Sequence, residues 1–233
     1  MTTKRRTSGI QRRQRASTEA LNRRVQPGGA ATGLPLDWRI LLIGGVLLIG
    51  LIILVVVLVV GGGPNPFEGT RQASAGTTHV TPGIDCRDPA QQNDQAGCGS
   101  DPYSSVPATS GPHWDPSAIA NWGVYSTPQL DTQLVHNLEH GGIVIWYQQD
   151  ALTDAQVAEL ADFVEGQVAE GSAGRFKFIL APWAGEDFGH PIAVTGWEYL
   201  LYLDTVDMEA VRGFADAHYG RAPEPNGGPA PPS

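Results

Sequence analysis

From Ile40 to Val60 the chain runs for 21 residues without a charge or a strongly polar side chain. No other feature limits the fold as much. At 1.5 Å per residue, a helix of this run is about 31 Å long, enough to cross the hydrocarbon core of a bilayer. It has no polar face, as a surface helix would need, and its β-branched end argues against a buried core helix. A cleaved signal peptide is the other reading, but its apolar region is shorter, roughly 7–15 residues, and ends at small residues. Here Gly61-Gly62-Gly63-Pro64 follows. The expectation is an uncleaved signal anchor: one transmembrane helix over residues 40–60, with Trp38 and Arg39 at the interface.

The run divides two segments of opposite charge. Residues 1–39 hold nine Lys/Arg and two acids; residues 61–233 hold six Lys/Arg and 22 acids. The basic bias places the N-terminus in the cytoplasm and the remainder outside the cell membrane. The arm, residues 1–39, has almost no apolar periodicity and is expected to be disordered. Anionic lipid of the inner leaflet is its expected partner. The acidic body argues against nucleic acid.

Residues 61–78 are rich in Gly, Pro, Ser, Thr and Ala and read as a linker. Cys86 and Cys98 are the only cysteines. In an oxidising compartment, two cysteines bracketing a short polar loop read as one disulfide; a thiolate metal site usually needs closer spacing or more cysteines.

The chemistry concentrates in Leu134-Val135-His136-Asn137-Leu138-Glu139-His140-Gly141-Gly142. Leu130, Leu134, Val135 and Leu138 recur at helical spacing. Thr127-Pro128 offers a start and Gly141 a stop, so a helix over 128–140 is expected. On that helix His136 and His140 share a face and can reach one ion, with Glu139 on a neighbouring edge as ligand, orienting acceptor or base. On a strand they would lie about 13 Å apart and could not share it. The third ligand expected is His113, in the stiff Pro/Gly segment of residues 106–114. Imidazoles suit copper and zinc alike. His136-x-x-Glu139-His140 also matches the H-x-x-E-H pattern of zinc metallopeptidases, where the glutamate activates water. Gly141-Gly142 ends the helix at once, though, and such enzymes need longer helices. A catalytic role is therefore the lesser expectation.

Taken in order, Thr109-Ser110-Gly111-Pro112-His113, Gly123-Val124-Tyr125, Val135-His136-Asn137-Leu138-Glu139-His140-Gly141-Gly142 and Pro223-Glu224 resemble the DUF3105 family, over roughly residues 78–225. The resemblance implies an extracytoplasmic domain, often membrane-anchored. It implies that His113, His136, Glu139 and His140 act as one constellation. It carries no activity, and the Cys86/Cys98 pair is not part of it.

Residues 142–148 read as a buried strand. Thr153 and Gln156 form a capping box for a helix ending near Gly171. Residues 176–180 and 192–195 are strands, 199–203 continues or adds one, and 207–219 is a closing helix. This order predicts an α+β domain over residues 79–221: a small mixed or antiparallel sheet of three or four strands with two helices on one face. Residues 222–233 are expected to be a disordered tail. His190 is a lesser candidate ligand. His218 and Met208 read as packing or helix-end residues. Three roles remain open on sequence: a metal-binding domain taking copper or zinc, a non-metal module contacting an extracytoplasmic protein partner, and a zinc hydrolase.

Overall fold

The computed structural model describes residues 38–60, 65–92 and 97–232. The chain divides into two units, Met1–Gly63 and Pro64–Ser233. Of the first, α1 (Trp38–Val60) is described; the arm's residues 1–37 lie outside the described residues. The α1 side chains described from Leu41 to Val55 are apolar and almost all exposed. Among the described residues, no helix is long and apolar enough to cross a membrane.

The second unit is α+β. Its main sheet holds β1 (Thr70–Arg71), β4 (Gly123–Val124), β5 (Ile143–Tyr147), β6 (Phe178–Pro182), β7 (Ile192–Gly196) and β8 (Tyr199–Leu203), in the order β1-β8-β7-β5-β6-β4. The β1–β8, β8–β7 and β7–β5 pairs are antiparallel; β5–β6 and β6–β4 are parallel. The sheet is mixed, as expected, but larger than three or four strands. The extra edge strands β1 and β4 are two residues each, too short to show a period of two. Residues 199–203 are a separate strand, turned back on β7 through Trp197-Glu198.

All five β5 residues are buried, so both faces of the sheet are covered. Ile143, Ile145 and Tyr147 point one way, with Phe178, Leu180, Ile192 and Val194, against α3 (Asp154–Ala169) and α4 (Met208–His218) through Leu160, Val164, Val211 and Phe214. The capping box of Thr153 and Gln156 is present. Val144 and Trp146, with Ile179 and Ala181, point the other way, against Leu134, Val135 and Leu138 of α2 (Asp131–Glu139). Alternation along each strand separates the two cores. The two predicted helices do share a face; a third helix and the irregular segment before it cover the opposite one.

Helix α2 begins three residues later than expected. Gln129 instead bridges Trp183 at the sheet edge. Asp131 is buried and receives Arg87 Nε at 2.6 Å and the Ala108 amide at 3.1 Å. A second sheet, of parallel β2 (His79–Val80) and β3 (His113–Trp114), lies against α2. Cys86 and Cys98 are disulfide-bonded, their Cα atoms 5.4 Å apart. In the chain-entropy picture a loop of this length stabilises by about 3 kcal/mol. The loop joins α2 where the Cys86 amide donates to Thr132 Oγ1.

Two segments read as unstructured are packed. The linker's described part enters the sheet as β1, and Gly76 accepts the Gly111 amide. The tail runs back across the end of α2. The Glu224 amide donates to Glu139 O at 3.0 Å, and Trp122 Nε1 donates to Pro229 O. The buried Lys177 ammonium donates to the carbonyls of His140, Pro225 and Gly227 at 2.7–3.0 Å. A buried cation that needs acceptors holds the tail in place; Pro/Gly composition alone does not reveal that.

Candidate metal centre

The parallel register of the second sheet sets His79 opposite His113. Matched positions on neighbouring strands project to the same side, so both imidazoles face α2. From the helix, His136 and Glu139, three residues apart, come from one face. One ligand atom each from His79, His113, His136 and Glu139 all lie within 4.8 Å of one another. Glu139 Oε2 is 3.0 Å from His113 Nε2 and 3.9 Å from His79 Nε2. The His113, His136 and Glu139 side chains are buried, whereas that of His79 is 43 % exposed.

Backbone carbonyls fix the tautomers. His113 Nδ1 is 2.8 Å from Gly111 O and His136 Nδ1 is 2.6 Å from Trp114 O. A carbonyl only accepts, so in the neutral rings the proton is on Nδ1 and Nε2 carries a bare lone pair. Burial holds both imidazoles down to about 4, which keeps them neutral near pH 7. Burial pushes the Glu139 carboxyl above its usual range, with Glu224 adding to the effect. A lone pair and a carboxylate oxygen 3.0 Å apart repel unless positive charge lies between them. A proton or a metal ion relieves this, and the Nδ1–H to carbonyl arrangement is the one metal-ligating histidines use.

His140 stands beside the group rather than in it. Its ring stacks on His136 with centroids 4.9 Å apart, so the two do share a face. But His140 caps the helix, and its Nδ1 donates to Glu224 O at 2.9 Å. The tail lies on the ring: a Cβ at Gly227 would come within 2.2 Å of it. His79 takes the fourth place. Sequence reasoning missed it because it sits at the linker boundary with no motif around it; only its pairing with β3 brings it in. His190 lies apart, its Nδ1 2.8 Å from Asp204 Oδ1 and its ring stacked on Tyr202. His218 is packed on Tyr199, and Met208 packs against the α3/α4 core.

Fold and site together define an α+β domain with a cluster of three histidines and one glutamate, all but His79 buried, within metal-binding distance. The chain belongs to the DUF3105 family, described as a protein of unknown function, whose model matches residues 97–230, more than half of the chain. No curated protein and no solved structure matches it. His79 precedes the matched segment; His113, His136 and Glu139 lie within it.

Proposed function

We propose that this protein is a membrane-anchored extracytoplasmic domain that binds one divalent ion, zinc or copper(II), through His79, His113, His136 and Glu139. The observation that carries the reading is the tautomer pattern. Two buried neutral imidazoles present bare Nε2 atoms to a carboxylate, with a third imidazole closing the group. Three nitrogens and one oxygen suit ions of borderline softness; calcium and magnesium prefer oxygen throughout, and copper(I) prefers sulfur. Both cysteines are joined to each other and supply no thiolate.

Membrane anchoring is supported by the uncharged run of residues 40–60, the exposed apolar side chains described along it and the basic arm before it. A disulfide fits the oxidising side.

The test is elemental analysis of the full chain, purified in detergent without a His tag, beside a His113→Ala/His136→Ala double variant. The expected result is one equivalent of zinc or copper in the wild type and none in the variant. No ion in the wild type, even after reconstitution with zinc or copper(II), removes the proposal. It would leave a module recognising an extracytoplasmic protein partner.

A further inference from the structure

Resting on that reading, we infer that the site exchanges its ion rather than keeping it, and that His79 is the ligand through which the ion is handed over. The four ligands are not held alike. His113 and His136 are anchored by hydrogen bonds from Nδ1 to backbone carbonyls, and both are buried. Glu139 sits in a helix with its carboxylate 3.0 Å from His113. His79 has no hydrogen bond from either ring nitrogen among the described residues. Glu139 Oε2 lies 3.9 Å from its Nε2, beyond hydrogen-bond distance. Its other close neighbours are the rings of His113 and His136, with centroids 4.8 and 5.2 Å away. Among the described residues it stands on a two-residue strand paired on one side only, and its side chain is 43 % exposed where the other three are buried.

Geometry adds a second reason. Bonds of about 2.1 Å in a tetrahedral site put neighbouring donors about 3.4 Å apart. The group spans up to 4.8 Å, so something must close in on the ion. The unanchored His79 ring is the ligand with freedom to do so, and that same freedom lets it leave. The exchange step is a ligand substitution without redox change. The His79 Nε2–metal bond breaks, a donor from the acceptor takes the exposed position, and the ion departs as His113, His136 and Glu139 release it. The acceptor is a protein or chelator offering imidazole, thiolate or pyridine-type donors.

The test loads the full chain in detergent with zinc chloride, adds excess chromogenic pyridylazo chelator, and follows transfer. The wild-type rate is expected to rise with chelator concentration, because the incoming donor attacks before the ion leaves. His79→Ala and His79→Gln are expected to retain one equivalent and to transfer at least about tenfold faster, the scale on which loosened metal sites lose affinity. His136→Ala should hold no equivalent, and His190→Ala should match wild type. A wild-type rate independent of chelator, wild-type rates in both His79 variants, or loss of the equivalent in both overturns the inference while leaving the metal site standing. A wild type that binds no zinc or copper(II) instead removes the metal reading beneath it.

Discussion

At the scale of single residues, histidines in this domain do different work according to what their nitrogens meet. His113, His136 and His140 each give one nitrogen to a backbone carbonyl. His218 does the same toward Glu68 O, at 2.7 Å, but its ring is spent on packing against Tyr199. Burial holds His218 below its ordinary value, outweighing the opposing pull of the Glu68 carbonyl. The sign follows from linkage. The unfolded chain takes up a proton near pH 6.5 while the folded chain resists it. Stability associated with His218 is therefore full above about pH 6.5 and is lost as pH falls from there toward the depressed folded value. In chelator-treated protein, His218→Gln should flatten the fall of melting temperature between pH 7 and pH 5. An unchanged slope would show that this histidine is not a source of acid sensitivity. The histidine motif at 136–140 was legible in the sequence because helical spacing brings its members together. His79 was not legible, since nothing local distinguishes it from a linker residue.

At the scale of elements, the site depends on how α2 stops. Gly141 has φ of 78°, in the left-handed region, and a Cβ there would lie 2.7 Å from Gly220 Cα. The Gly220 amide donates to Gly141 O at 2.8 Å, so the end of α2 and the chain leaving α4 share one close contact. The left-handed conformation alone costs a non-glycine residue about 1–2 kcal/mol, and the backbone clash adds to it. Gly141→Ala should therefore lower the melting temperature by roughly 4 °C or more in a domain of this size, with weaker metal retention, because Glu139 lies two residues upstream. A melting temperature within about 1 °C of wild type, smaller than a 1 kcal/mol loss produces in a domain of this size, would count against the contact. The helix stop was readable as a C′ glycine. That the stop is clamped by α4, by Lys177 and by the tail was not, because each of these lies more than 30 residues away in sequence, a separation the hydrogen bonds themselves show.

At the scale of the whole molecule, the sequence predicts an arm, an anchor and a domain. If α1 anchors the chain, alkaline carbonate should leave the protein in the membrane pellet, and protease added to intact spheroplasts should reach residues 65–233 but spare the arm. Release by carbonate, or digestion of the arm first, would overturn the anchor or its direction. What the sequence by itself determined was whatever depends on neighbours along the chain: the uncharged run, the capped helix α3, the buried strands β5 and β6, the disulfide partners, and the helical grouping of His136 with Glu139. These are short-range consequences of side-chain period, charge and turn chemistry. Only the tertiary structure decided that β1 and β4 join the sheet, that the tail is packed rather than free, and that His79 rather than His140 completes the cluster. The physical reason is shared. Two-residue strands, a strap held by one buried ammonium, and a ligand supplied across a parallel pair have no periodic signature of their own. Each is stabilised by partners that folding brings together from distant parts of the chain.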